Sequence, residues 1–402
     1  MFSKGTRCLV CTGCGKCFGN QSVNTLSTFY YKGYDKKEGL RRERTSQAFF
    51  GYEKIEEADG NLVAVDIGTT TIAMQLRRMS DAAVLDVYTS MNPQRKYGGD
   101  ILSRIAAAEE EKKRLDMMEL VREVLKEGLS QFNQVKKMVI AGNTTMIHLL
   151  MGYDTSGLGR APFTPQCLEE IHTSMFGVET VILPGVSAFI GGDITAGIYA
   201  LTMERQERVC LLIDLGTNGE MVLGNRHKLL ATATAAGPAF EGNADCFGTD
   251  LMDLTGLLLK QEILDETGLL ADPYFDEGIA IGGVKITQQY IRQLQMAKAA
   301  ICTGIEILCR KYGLEGYSEI DQVFLAGGMG YYLNPEAAAA IGLIPKALTK
   351  KTIAVGNAAL EGAFLFGTCK LEKLKQIQDF NLAEEVEFEK RYIEHMNLLG
   401  SL

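Results

Sequence analysis

The chain has 402 residues, and its proportions of hydrophobic (46%) and charged (23%) residues are ordinary for a globular protein of two or three domains. A formal net charge of −9 argues against a nucleic-acid partner, because the composition requires no basic surface. The most apolar stretch, residues 181–203, is interrupted by Pro184 and Asp193, so neither a membrane span nor a membrane partner is expected. The amino terminus has cysteines where a signal peptide would need an apolar core, which predicts a cytoplasmic protein.

An unbroken C-x2-C-x2-C-x2-C run near the amino terminus contains four of the ten cysteines: Cys8, Cys11, Cys14 and Cys17. This spacing lets the four thiolates turn towards one centre, and the interleaved glycines leave backbone N–H groups available to bond sulfide. The first three cysteines match the ferredoxin spacing, so the run predicts a [4Fe–4S] cluster. A structural Zn²⁺ site and a redox dithiol are the alternatives. Residues 1–22 are therefore predicted to be an iron–sulfur segment, and residues 23–60 a connector.

One motif, an apolar run that ends in Asp and continues into a Gly-Thr turn, occurs twice, at Asp66 and at Asp214. Each apolar run predicts a buried strand, and each aspartate is placed to hold Mg²⁺ or to orient a water beside a phosphate. Two such loops facing each other would bind one nucleotide from both sides; two structural turns are the alternative. The residues after the aspartates are expected to bond phosphate oxygens: Gly68, Thr69, Thr70, Gly216, Thr217 and Asn218.

The elements that follow the two motifs recur in the same order. In the first copy, strands are predicted at residues 71–76 and 83–89, then a helical period over 101–129, a strand at 136–141, and a helix that opens at 190–197. In the second copy, strands at residues 220–223, 228–234 and 322–326 precede a helix at 355–362. We infer a duplicated α/β domain with halves at 61–205 and 206–402, the second carrying an insertion within about residues 236–320.

Across about residues 61–395, this ordered set of motifs resembles the acetate kinase/sugar kinase/Hsp70/actin ATPase superfamily. In that superfamily, two RNase H-like halves close over ATP. Within it, the chain resembles the reductive activators of corrinoid proteins, which use ATP to return inactive Co(II) corrinoid to Co(I). The usual activator carries a plant-type [2Fe–2S] domain at its amino terminus, whereas this chain has the short four-cysteine segment. The resemblance rests on the two Asp-Gly-Thr loops and on motifs at residues 141–150, 191–193, 235–242, 295–301, 325–328 and 355–359.

The resemblance implies roles for further residues, each with a structural alternative. Asp193 is expected to orient the attacking water, unless it only caps a helix. Glu241 is a candidate nucleotide-site or hinge carboxylate, or else a turn residue. Lys298 is expected to reach the ribose or base, or else to be an exposed helical lysine. Adenine and ribose are expected to approach the backbone at Gly327 and Gly328.

Three other side chains are predicted to be structural. His148 lies among apolar residues and is interpreted as a hydrogen-bonded core histidine. Cys302 and Cys309 lie seven positions apart on one helical face and are interpreted as buried, with ligation across a dimer axis as the alternative.

The leading hypothesis is an ATP-hydrolysing redox activator that uses ATP, Mg²⁺ and a [4Fe–4S] cluster to pass an electron from an unknown reductant to a corrinoid protein. One alternative is an activator of another low-potential enzyme, such as a radical dehydratase. Others are a small-molecule kinase with a Zn²⁺-bound amino terminus, and a nucleotide-dependent binding module without turnover. Relatives of this type dimerise, so a homodimer is expected, and residues 297–308 are the predicted interface because they are small and apolar.

Overall fold

The computed structural model describes residues 52–55, 59–240, 248–281, 284–327 and 334–398. The predictions for Cys8, Cys11, Cys14 and Cys17, for Glu241 and for Gly328 therefore concern residues outside the described part. Among the helices that are described, none combines the length and the apolar character that a bilayer span requires.

Fourteen strands form two six-stranded sheets and one hairpin in the described ranges. The first sheet contains β1 (Asn61–Ile67), β2 (Thr71–Arg78), β3 (Val84–Met91), β4 (Val135–Gly142), β5 (Ile171–Met175) and β6 (Val178–Ile182). The second half contributes β7 (Cys210–Leu215), β8 (Asn218–Asn225), β9 (Lys228–Ala235), the hairpin of β10 (Ile279–Ile281) and β11 (Val284–Ile286), β12 (Gln322–Ala326), β13 (Thr352–Gly356) and β14 (Ile377–Asp379).

The two sheets share one core topology. The first has the order β3-β2-β1-β4-β6-β5, and the second has the order β13-β12-β7-β8-β9-β14. In each half an antiparallel meander of three strands is extended by two parallel strands. Strands β1 and β7 are therefore equivalent, and both are central and buried on both faces, which explains their continuous apolar runs. The duplication predicted from the repeated motifs is confirmed.

Ten α-helices accompany the described strands: α1 (Ile101–Ala108), α2 (Glu111–Ser130), α3 (Thr144–Met151), α4 (Gly192–Ala200), α5 (Gly248–Lys260), α6 (Tyr274–Glu277), α7 (Gln288–Tyr312), α8 (Pro335–Ala340), α9 (Ala358–Thr368) and α10 (Phe388–Glu394). The helical period predicted over residues 101–129 is confirmed, and it is divided between two separate helices, α1 and α2. Glu110 has extended backbone angles and ends the first helical run. The break lets α2 turn its own apolar face, which includes Met117, Val121 and Leu125, into the core of the first half.

Helix α9 comes after the last core strand of the second half, yet it packs against β1 and β4 of the first sheet and along α4. The α4–α9 contact is a close backbone approach, since a side chain at Gly362 would collide with the carbonyl group of Ala196. A buried ion pair also joins α9 to β2, with Arg77 Nη1 2.6 Å from Glu361 Oε2. The two halves of the chain are thus joined through a shared helix pair.

Candidate nucleotide site

The two Asp-Gly-Thr loops face each other. Each makes a tight turn after its strand, with the Gly68 N–H donating to Thr71 O (2.9 Å) and the Gly216 N–H donating to Asn218 O (2.9 Å). The Oγ1 atoms of Thr70 and Thr217 lie 3.2 Å apart and share a hydrogen bond between the two loops. The facing arrangement predicted from the repeated motif is therefore present in the structure.

Two asparagines fix the shape of the first loop. Asn143 Nδ2 donates to Thr69 Oγ1 (3.2 Å), while Asn143 Oδ1 accepts from the N–H group at the start of α3. Asn92 Nδ2 donates to the carbonyl oxygen of Gly68 (2.9 Å). Because these amides hold the loop from two sides, its backbone is organised in advance for a ligand.

Four carboxylates gather where these loops begin. Asp66 and Asp214 stand near the ends of the equivalent strands β1 and β7. Asp193 lies in the first turn of α4, whose cap position is Gly191, so the interpretation of Asp193 as a helix cap is wrong. Glu220 on β8 pairs with Asp214 in the antiparallel register, which places both side chains on the same face of the sheet.

We call this group the acidic cluster: Asp66, Asp193, Asp214 and Glu220. Burial and mutual repulsion between the carboxylates raise pKa values within it. Burial and then the charges of Asp193 and Asp66 raise the pKa of Asp214 to about 8. Burial and then the charge of Asp66 raise the pKa of Asp193 to about 7. Burial, followed by the charges of Asp193 and Asp214, raises the pKa of Glu220 well above its usual value. Within the described ranges, no basic side chain forms an ion pair with Asp193, Asp214 or Glu220.

A divalent cation fits this cluster, because it would offset several buried negative charges at once. In the part of the chain that the structure describes, no three His, Cys, Asp or Glu side chains are arranged to enclose a metal ion. Mg²⁺ needs no such cage, since it commonly keeps several waters and takes one or two carboxylates together with substrate phosphates. Asp66 and Asp214 are the aspartates nearest in sequence to the loops and would hold such an ion.

A cleft of about 530 Å³ opens beside the two threonines. Thr70, Thr217, Asn218, Ala235 and Gly237 line one part of it. A wall of apolar and charged residues from the first half lines the rest: Met91, Arg95, Gly99, Asp100, Ile101, Leu102 and Arg104. Ligand pockets typically have volumes of about 300–1,000 Å³, so the cleft is large enough for a substantial part of a nucleotide.

Two members of the site were missed in the sequence. Glu220 was given no role, and only its register opposite Asp214 reveals its place in the acidic cluster. Asn357 was also given no role, yet its Nδ2 donates to Asp66 Oδ2 (2.7 Å) across the two halves. The repeat itself could have identified Asn357. It follows β13, which is equivalent to β6 of the first half, and Asp193 follows β6.

Lys298 is fully buried, so the alternative of an exposed helical lysine is wrong. Its Nζ donates to the carbonyl oxygens of His395 (2.7 Å) and Asn397, and so holds the carboxyl-terminal segment on α7. Gly327 has φ +128°, and a side chain there would collide with the backbone of Leu215. Packing and backbone conformation therefore require a glycine at position 327, at the end of β12. The predicted approach of adenine and ribose to Gly327 stays a prediction.

The three structural side chains are confirmed. His148 is buried; its Nδ1 contacts Thr144 O (2.7 Å), and its Nε2 accepts from the Gln166 N–H (3.0 Å). Cys302 and Cys309 are buried in α7 within the core of the second half. All residues from 297 to 308 are buried except Glu306, which is half-buried. This stretch therefore packs against other parts of the same chain. Its assignment as a dimer interface is therefore wrong.

Two sequence profiles of one protein family match consecutive parts of the chain. The profile described as the RACo middle region matches residues 62–206. The profile described as the C-terminal domain of RACo, the ASKHA domain, matches residues 208–254 and 272–401. The chain belongs to the family of reductive activators of corrinoid proteins.

Named members of this activator family are similar along most of the chain. The corrinoid activation enzyme RamQ of Eubacterium limosum is 29% identical over 77% of this chain and 64% of its own length. The [Co(II) methylated amine-specific corrinoid protein] reductase of Methanosarcina barkeri is 20% identical over 74% of this chain and 68% of its own length. The solved structure of a reductive activator for corrinoid, iron-sulfur protein matches with a TM-score of 0.78 and 26% identity, over 87% of this chain and 67% of that one.

These similarities confirm the predicted fold class, a duplicated ATPase-type α/β domain of the ASKHA kind. The match to RamQ covers 64% of that protein, which is less than two thirds of its length. The activity, substrates and partners of the whole protein are therefore proposed below.

Proposed function

We propose that this protein is an ATP-dependent reductive activator, which delivers one low-potential electron to the cobalt of a corrinoid protein and converts Co(II) to Co(I). The observation that carries the proposal is the pair of facing Asp-Gly-Thr loops above the acidic cluster, in a chain whose relatives bear the names of corrinoid activators and reductases. Co(I) is strongly reducing, so its formation needs an input of free energy, and nucleotide turnover supplies one.

In this proposal the loops bind the phosphates of ATP. Backbone N–H groups and threonine hydroxyls at residues 69–70 and 217–218 donate to phosphate oxygens, while the N–H groups of Gly68 and Gly216 close the turns that shape the two loops. Asp66 and Asp214 hold Mg²⁺, which supplies positive charge at the phosphates when it is bound. Asp193, at the start of α4, accepts a hydrogen bond from the attacking water and orients it.

The electron-transfer role rests on the donor set at the amino terminus. Four thiolates from Cys8, Cys11, Cys14 and Cys17 suit a [4Fe–4S] cluster, which exchanges one electron at a time when it is bound. One electron enters from an external reductant and one leaves to cobalt, so the reaction balances without a new bond between the proteins. The protein is proposed to act as a cytoplasmic homodimer, and light scattering at micromolar concentration tests the dimer.

The test is an anaerobic activation assay. Purified protein, a chemical reductant, Mg²⁺-ATP and a recombinant corrinoid protein in the Co(II) state are mixed, and Co(I) formation is followed by absorbance. Co(I) is expected with the wild-type protein and not with Cys11→Ser or Asp214→Asn. Iron and acid-labile sulfide should be present in the wild type and in Asp214→Asn, and reduced in Cys11→Ser.

Other outcomes separate the alternatives. Zinc without sulfide, together with phosphate transfer to a metabolite, would replace the redox proposal with a kinase. Reduction of a different low-potential enzyme, with no Co(I) formed, would keep the ATPase and change the acceptor. Nucleotide binding without ADP formation would leave a binding module.

A further inference from the structure

Asn357 connects the two halves of the chain at the candidate active site. Its side chain is buried (6% exposed), and it lies between β13 and α9 of the second half. Its Nδ2 donates to Asp66 Oδ2 (2.7 Å) on β1 of the first half. Its Oδ1 accepts from the Leu360 N–H (2.9 Å) and caps α9. Both ends of the amide are engaged, so its orientation is fixed.

We propose that Asn357 is a positioning residue that orients the Asp66 carboxylate for Mg²⁺ and phosphate binding. The proposal rests on the function proposed above. An amide that donates to one carboxylate oxygen restricts rotation of the Asp66 side chain and sets the direction in which its lone pairs point.

Asn357→Ser tests this role, because serine is also a preferred helix cap and would retain the cap of α9 while removing the amide donor. Asn334→Ser is the matched control, since Asn334 caps α8 in the same way through a hydrogen bond from the Glu336 N–H (3.0 Å) and is exposed. Three quantities are compared: the melting temperature, the dissociation constant of Mn²⁺ measured by EPR with AMP-PNP present, and kcat and KM for ATP.

Removing a group that orients a metal ligand typically lowers affinity or activity by about 10- to 100-fold. For Asn357→Ser we therefore expect weaker Mn²⁺ binding and a lower kcat, each by roughly tenfold, with a melting temperature close to that of Asn334→Ser. Mn²⁺ affinity and kcat within twofold of wild type would overturn the proposal. Absent ATP turnover in the wild type would instead reject the proposed function, so the two failures are distinguishable.

A second inference comes from the opposite ends of helices α4 and α9. Both helices begin at the site, with Asp193 and Asn357, and both end at the described part of the connector, residues 52–55. The Ile55 N–H donates to Thr368 O (2.9 Å), and the Lys370 N–H donates to Glu53 O (2.8 Å). On the other side, the buried Tyr52 hydroxyl donates to Tyr199 O (3.0 Å) at the end of α4.

We infer that the α4–α9 pair transmits the nucleotide state to residues 52–55 of the connector. This inference also rests on the proposed function. Two properties suit the pair to transmission: the close backbone approach at Gly362 and Ala196 prevents independent sliding, and the connector is bonded to both helices.

Hydrogen exchange of the full-length protein tests this inference, because the Ile55 and Lys370 amides report directly on the connector. Addition of Mg²⁺ and AMP-PNP is expected to change their exchange rates by roughly fivefold or more, while the β10–β11 hairpin stays constant. Tyr52→Phe, which loses the hydroxyl contact to α4, should reduce this change, and Tyr97→Phe should not. Altered exchange at Thr70 and Thr217 without any change at Ile55 and Lys370 would overturn the inference. No change at any of the four would show that the nucleotide does not bind, and would reject the proposed function itself.

Discussion

The hydroxyl oxygens of Thr70 and Thr217 lie 3.2 Å apart, although 147 positions separate the two residues in the chain. This contact brings the two halves together at the point where both loops present hydroxyl and N–H donors. The duplicated fold explains it, because β1 and β7 are equivalent strands and each threonine follows its strand in an equivalent turn. Under the proposed function, a phosphate bound there would accept hydrogen bonds from both halves.

Thr217→Ala should weaken ATP binding. A hydrogen bond to a charged group contributes about 1.5–3 kcal/mol, so the dissociation constant of ATP is expected to rise by roughly tenfold or more. Isothermal titration calorimetry with AMP-PNP measures it. Thr349→Ala is the control, because Thr349 donates only to Lys346 O within a short surface helix. If Thr217→Ala and the wild type bind AMP-PNP equally well, the phosphates do not bind at Thr217.

Asp214→Asn should lower kcat for ATP hydrolysis by roughly a hundredfold or more, as removal of a key polar group from an active site does. It should also raise the melting temperature measured with EDTA near neutral pH. The raised pKa of Asp214 means that the folded state must either bind a proton there or keep a buried charge beside Asp193 and Glu220, and the neutral amide avoids both costs. The exposed Asp276→Asn is expected to change neither value. A lower melting temperature together with normal turnover would contradict the assignment.

Arg77→Met should destabilise the protein strongly. Arg77 is fully buried, pairs with Glu361 at 2.6 Å and lies 4.0 Å above the Phe364 ring, so its loss leaves a buried carboxylate unpaired. Breaking such a pair costs about 3–5 kcal/mol of unfolding free energy. Arg78→Met removes a pair with Asp81 whose side chains are 48% and 51% exposed, and should cost at most about 1 kcal/mol. Urea unfolding measures the free energy of unfolding of both variants. Similar decreases for Arg77→Met and Arg78→Met would argue against α9 as a link between the halves.

His148 should make stability depend on pH. Burial lowers its pKa, so the folded state keeps the imidazole neutral, whereas the unfolded chain binds a proton below about pH 6.5. Stability is therefore fully present above that pH and falls as the pH drops below it, by up to about 1.4 kcal/mol per pH unit. His148→Gln should reduce this slope, and the exposed His172→Gln should not. Equal slopes in wild type and His148→Gln would refute the assignment.

The features of the structure that depend on local sequence patterns could be predicted. Apolar runs that end in Asp and Gly-Thr identified β1, β7 and both loops, and their repetition predicted the duplicated fold. What depends on pairing between distant strands was missed, since Glu220 belongs to the site only through its register opposite Asp214. Asn357 reaches Asp66 because α9 crosses onto the other half, which no local pattern encodes.

Two errors have a common cause. An exposed helical lysine was the alternative for Lys298, and residues 297–308 of α7 were predicted to be an apolar interface. In the structure the carboxyl-terminal segment passes over α7, and its carbonyl groups accept hydrogen bonds from the Lys298 ammonium. A chain segment almost 100 positions away therefore buries Lys298, while other residues of this helix are buried against β8 and β9.

Coupling between the nucleotide site and electron transfer is measured by the ratio of ADP released to Co(I) formed in one anaerobic reaction with reduced protein and a Co(II) corrinoid protein. We expect Co(I) to appear only while ADP is produced, and replacement of ATP with AMP-PNP to stop both. Co(I) formation at the same rate without ATP would contradict this expectation, because the nucleotide site would then have no part in electron transfer.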